Sequence, residues 1–179
     1  MSPFNGRIEY LDNLYVTTTE AAVISKISTI LWQKQLSGVV TRSARSALSL
    51  ILNKAISNTN NLVSIITPSN SGYISNCVTS TVERFCNWVY GYDKNADIYI
   101  LIHEFGRKAD LPKQDYTNKI VIEDCAYYLV ANSLFNNELQ GDYVIYSLPK
   151  AFSMQYGGVL LSTKDIANIY DTQLSSKGK

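Results

Sequence analysis

One histidine, three cysteines and four prolines in 179 residues close off several common chemistries. With His103 as the single histidine, a Ser-His-Asp arrangement would have to be built on that one residue, and a site ligated by several histidines cannot exist. Cys77, Cys86 and Cys125 are odd in number and form no C-x-x-C pair, which argues against a disulfide framework or a zinc knuckle and fits a reducing cytoplasm. An excess of charge is also missing. Sixteen basic residues face fifteen acidic ones, a formal charge of +1, so there is no electrostatic footprint for nucleic acid or an anionic membrane. No apolar run approaches the roughly 20 residues of a membrane-spanning helix, and the start "MSPFNGRIEY" has no basic stretch followed by an apolar core. Neither secretion nor insertion is expected. The absence of any G-x-G-x-x-G or G-x-x-x-x-G-K-[ST] stretch sets aside a plain nucleotide-binding module.

What is present reads as a globular chain: 46% hydrophobic and 17% charged, enough for one sizeable core and tight for two. "TTTEAAVISKISTILWQKQLSG" (17 to 38) predicts a helix with Thr17 as N-cap, Glu20 three residues on, Ile24, Ile27 and Leu31 on one face, and Gly38 at the C-terminal stop. "SARSALSLILNKAIS" predicts a second, with Ala44, Ala47, Leu48, Ile51, Leu52 and Ala55 along one stripe. Six short runs rich in Ile, Val and Tyr predict strands at 62–67, 86–92, 97–103, 119–124, 142–147 and 157–162. Several are continuously apolar, as strands covered on both faces of a parallel sheet are. The expected class is therefore α/β, a three-layer α/β/α sandwich around a mostly parallel sheet of about seven strands. The expected organisation is an N-terminal segment and helix (1–37) forming one domain with residues 38–170, followed by a tail (171–179).

Ligands of an open α/β sheet bind at the carboxyl ends of its strands. That rule selects four places: Glu123 and Asp124 after "KIVI", His103 after "DIYILI", Ser147 with Lys150 after "DYVIY", and the turn "VVTRSARSAL" at a helix start. Each has a plainer reading. An acidic pair after a strand is commonly a cap or a solvated loop, a lone histidine a hydrogen-bonded structural residue, a loop lysine solvated, and Gly157-Gly158 a turn. Together they offer more: a small-residue helix start suited to phosphate, an aspartate for a protonated ring nitrogen and a lysine for an aldehyde. Those are the three handles of pyridoxal 5'-phosphate (PLP).

On these segments the chain resembles the DegT/DnrJ/EryC1/StrS family of nucleotide-sugar aminotransferases, fold-type I PLP enzymes, over their large domain. "SARSALSLIL" is similar to the family's Ser-Gly-Thr-x-Ala-Leu helix start, with Ala44 and Arg45 in place of Gly-Thr. "IITPSNSGYIS" resembles the loop leading to an aromatic that stacks on the cofactor, here Tyr73, and "ILIHEFGRKADL" resembles the strand that ends in His and a Gly-containing loop. "VIEDCAYYLVA" resembles the segment whose Asp binds the pyridine nitrogen, here Asp124, with Tyr127 where the family often has Gln. "YSLPKAFSMQYGGVLLST" resembles the Ser-x-x-Lys to Gly-Gly segment, in which Ser147 would hold phosphate and Lys150 would carry the cofactor.

The resemblance implies transfer of an amino group from an amino acid donor to a keto-sugar through a Lys150 Schiff base, in a homodimer or in assembly with a complete homologue. Twenty-nine residues follow Lys150, whereas the family continues into a second domain. The expectation is hence a chain without that small domain, either a fragment or a short relative. The rival reading is a non-catalytic, degenerate homologue serving as partner subunit or scaffold.

Overall fold

The computed structural model describes residues 8–10, 37–69, 72, 74–113, 116–128, 141–152 and 155–162. Of the helix expected over 17–38, residues 17–36 lie outside them. Alternating side chains of the apolar runs are buried on both faces, Val63, Ile65, Ile98 and Ile100 on one and Tyr99 and Leu101 on the other. Runs of that kind can only be satisfied inside a covered sheet. The sheet has eight strands: β1 (Ile8–Tyr10), β2 (Ser37–Thr41), β3 (Leu62–Ile66), β4 (Asn87–Tyr90), β5 (Ile98–Ile102), β6 (Ile120–Asp124), β7 (Tyr143–Ser147) and β8 (Gly158–Ser162). Their order is β1-β2-β8-β7-β6-β5-β3-β4, and all run parallel except β8, which is antiparallel to both β2 and β7. The α/β class and all six expected strands are present. The count exceeds seven through β1, a three-residue strand at one edge.

Helix α1 (Ala44–Ala55) lays Ala47, Leu48, Ile51 and Leu52 against Val39, Ile145 and Leu160, and α2 (Asn76–Val82) adds Val78 and Val82 to the same core. The opposite face is covered, among the described residues, by Ala109, Leu111 and Tyr116 over Tyr99, and by Tyr128 and Leu148 over Tyr146 and Leu161. No described helix is long and apolar enough to cross a membrane.

Gly38 is a correction to the sequence reading. It pairs with Leu161 of β8 and with Ile8 of β1, so it belongs to a ladder and does not stop a helix. The cause is burial of Val39 and Val40 on the two sides of β2, a signal only two residues long and too brief to separate from a helix end.

The glycine pair has two different reasons. Gly157, at φ +121°, turns the chain into β8, its N-H donating to Arg42 O (2.9 Å) and its carbonyl accepting from Leu148 N (3.0 Å). Gly158 has no room for a side chain, since a Cβ there would sit 2.5 Å from Ala44 N and Ser43 O. The start of α1 is therefore seated directly on β8. Because those neighbours are backbone atoms, Gly158→Ala is expected to cost about 1–3 kcal/mol or more in urea unfolding. Gly72→Ala, with nothing within 4 Å of the added methyl, is expected to stay within about 0.5 kcal/mol of the parent.

Candidate functional site

With β2, β5, β6 and β7 parallel, Thr41, His103, Asp124 and Ser147 arrive at one edge of the sheet. A cleft of about 400 Å³ opens there. Ala44, Arg45, Asp124, Tyr127, Ser147 and Lys150 all line it, six of the seven cofactor-site residues that the resemblance implies, and His103 lines it as well. The seventh, Tyr73, lies outside the described residues.

One wall is the beginning of α1. Ser43 is the N-cap, extended at φ −161°, with Oγ accepting from Ser46 N (3.1 Å) and its carbonyl accepting from Ala47 N and from Thr41 Oγ1 (2.8 Å). The first helical amides, those of Ala44 and Arg45, precede any intrahelical partner and form the positive end of the helix dipole, with no acidic side chain in the first turn. Arg45 directs its guanidinium to Cys77 Sγ at 2.8 Å rather than over this turn. That hydrogen bond holds the Cys77 thiol below its ordinary range, against the opposing effect of burial. Cys77 is, with Ser75 beside it, a polar lining residue that sequence reasoning missed. Its partner is 32 positions away and nothing in the local pattern marks it.

The floor comes from β6, where strand alternation sends consecutive carboxylates to opposite faces. Asp124, 9% exposed, turns into the cleft, its Oδ1 accepting from Ala126 N at 2.9 Å. Burial pushes its carboxyl up from the usual range, with the Ala126 amide and His103 pulling the other way. Glu123 points to the other face and accepts from His103 Nε2 (2.8 Å) and from Gly141 N. His103 Nδ1 accepts from Ala109 N (3.0 Å), which makes Nε2 the protonated nitrogen. Fully buried between these partners, His103 is the hydrogen-bonded structural histidine of the plainer reading.

The other wall follows β7. Ser147 occupies the N-cap position of α3 (Leu148–Ala151) without making a cap hydrogen bond, and Pro149 fits the first turn. Lys150 is exposed, and its Nζ stands 4.8 Å from the centroid of the Tyr127 ring. Hydrogen bonding to Tyr127 raises the ammonium pKa above the ordinary value. The Tyr127 ring in turn meets Phe105, centroids 5.1 Å apart. Phe105 (φ +45°) and Gly106 (φ +82°) are the two central residues of a tight reversal closed by Glu104 N to Arg107 O (3.0 Å) and Arg107 N to Glu104 O (2.7 Å). Positive φ at both positions is the type I′ pattern, which costs a bulky residue about 1–2 kcal/mol. Among the described residues no group of three or more His, Cys, Asp or Glu side chains could hold a metal ion.

A family model described as "Putative PLP-dependent aminotransferase" matches residues 26–173. No curated protein matches the chain. Among solved structures, a PLP-bound "putative aminotransferase" from Clostridium difficile 630 is 12% identical, with 92% of this chain and 53% of that one covered at a TM-score of 0.59. A SepCysS–SepCysE N-terminal domain complex is 17% identical, covering 83% and 47% at 0.57. The PLP form of a "putative sugar aminotransferase" from Streptococcus pneumoniae is 14% identical, covering 83% and 47% at 0.54. At these identities the likeness is one of fold. The chain spans about half the length of these structures.

Two outcomes follow from the electrostatics. The folded Asp124 carboxyl titrates above its unfolded value near 3.8, so its contribution to stability is fully present below that value, is lost as pH rises through the folded midpoint, and levels off above it. Asp124→Asn, which keeps an acceptor for Ala126 N, is expected to raise the ligand-free unfolding midpoint at pH 7 and to flatten its decline from acid. An unchanged pH profile would contradict this. Iodoacetamide at pH 7 is expected to label Cys77 ahead of the buried Cys86 and Cys125, whose thiols burial pushes up, and Arg45→Ala should slow that labelling.

Proposed function

The chain belongs to the PLP-dependent aminotransferase family whose model it matches over residues 26–173, and we propose that its cleft holds PLP for amino-group transfer. The observation that carries this reading is the convergence of a buried carboxylate, a small-residue helix start, a strand-end hydroxyl that makes no cap hydrogen bond and a lysine on one 400 Å³ cleft. The donor set fits the group. Asp124, desolvated and with one oxygen already fixed by Ala126 N, is an acceptor for a protonated ring nitrogen. The amides of Ala44 and Arg45 with the Ser147 hydroxyl suit a phosphate dianion, and the absence of a side chain at Gly158 is what lets that helix start reach this edge.

Bound PLP supplies an aldehyde and an electron sink. Lys150 is the residue that would hold the cofactor through that aldehyde, and its Nζ would serve as the base for the α-proton of a donor amino acid. Asp124 would hold the ring-nitrogen proton. Tyr73 is proposed as the aromatic over the ring. The DegT/DnrJ/EryC1/StrS resemblance makes a keto-sugar the proposed acceptor and the cytoplasm the proposed compartment, with a second copy or a complete homologue completing the assembly.

Arg45 engaged with Cys77, and Lys150 held by Tyr127, favour the rival reading of a degenerate homologue acting as a partner subunit. Titration of the purified chain with PLP separates the two. A borohydride-reducible visible band that forms in the parent and is abolished in Lys150→Ala supports the enzyme reading. No band in either protein supports the non-catalytic one.

A further inference from the structure

Phe105 is the residue whose position the fold explains least. It stands at the first central position of a type I′ turn, where Asn, Asp or Gly is favoured, and it is 81% exposed, so burial does not hold it there. The turn itself is fixed from both sides. His103 before it bonds Glu123 and receives the Ala109 amide that follows it, which leaves residues 104–108 to reverse within that span. The product of the reversal is a phenyl ring placed against Tyr127, the ring that carries the Lys150 ammonium. A strained, exposed aromatic whose ring meets the support of the site lysine calls for a role in that support.

We infer that Phe105 is a positioning residue: acting through Tyr127, it keeps the Lys150 ammonium parked over the Tyr127 ring at the mouth of the cleft until a carbonyl ligand arrives. This rests on the proposed PLP site for its purpose, though not for its measurement. Tyr127 gives the ammonium both a π face and a phenol oxygen, and a Tyr127 ring free to rotate would offer neither steadily. The other groups around Lys150 are Cys77 on α2, which also favours the charged amine, Arg45 on α1 and Asp124 on β6. Removing the Phe105 ring should therefore release the proton more easily. Lys150 should titrate lower, by the factor of about 2–5 that a cation–π contact at an exposed site is worth, or about 0.3–0.7 pH unit.

The test is Phe105→Asn in the ligand-free chain, with Phe105→Tyr as the conservative variant and Lys150→Arg to assign the signal. The Lys150 midpoint is read by NMR of the ε-carbon in ¹³C-lysine protein, and the same comparison in Cys77→Ser keeps the thiolate out of the result. Asn suits the turn, so thermal stability is expected to rise while the Lys150 midpoint falls, and Phe105→Tyr is expected to restore the parent midpoint. A merely structural Phe105 would move stability and leave the titration in place. A Lys150 midpoint unchanged in Phe105→Asn overturns the inference, and so does a fall that Phe105→Tyr shares. In parallel, the pH midpoint for borohydride trapping of PLP should fall with the NMR midpoint. If the parent traps no PLP, the proposed function fails while the NMR comparison still decides the role of Phe105.

Discussion

The seating of α1 on β8 is the constraint from which the rest of this edge follows. Two backbones approach closely only where a residue brings no side chain, and Gly158 opposite Ser43 and Ala44 is that residue. Because β8 lies between β2 and β7, the contact also sets the helix start beside Ser147, which pairs with Gly158 across the ladder. Small residues at the start of α1 are thus a packing requirement before they are anything else. A dipole end whose first amides have no intrahelical partner, on residues that line a cleft, is the by-product that chemistry can use.

β6 shows the same economy. Its last two residues, side by side in sequence, serve separate purposes because the pleat separates them. Glu123 pins His103 and the chain near Gly141 on one face, and Asp124 is left desolvated on the other. The pinning sets the span of the turn that carries Phe105, and Phe105 touches Tyr127, which belongs to the segment just after Asp124. The floor of the cleft and the aromatic pair at its mouth are therefore tied back to a single central strand.

Much of this was legible in the sequence, for identifiable reasons. Strands β3 to β8 announced themselves because each is a compact apolar run bounded by polar or glycine residues, and α1 because its stripe repeats over three turns. Asp124, Ser147 and Lys150 stood out because they follow strands, and strand ends are where an open sheet places ligands. What was hidden depends on partners distant in sequence. Two valines in β2 become a strand only when β8 lies beside them. Cys77 joins the site through Arg45, and His103 is structural because Glu123 and Ala109 close around it. Gly157-Gly158 was recognised as a turn, yet the demand on Gly158 is steric and comes from a helix more than a hundred positions earlier. Phe105 gave no signal at all, since the left-handed turn it occupies is usually announced by asparagine or glycine.

The place of β8 in the sheet also bears on how the molecule is made. Its two neighbours, β2 and β7, leave ribosome and solvent at very different times, and the ladder between Thr41 and Gly158 joins positions well over a hundred residues apart. Until β8 arrives, β2 and β7 present open edges, the kind of surface that invites pairing with another chain. Closing so long a loop is slow relative to forming local contacts. Insertion of that one reversed strand completes the sheet and brings the start of α1 to Ser147 in the same event, so the nascent protein has no formed cleft to fill before it has a continuous sheet.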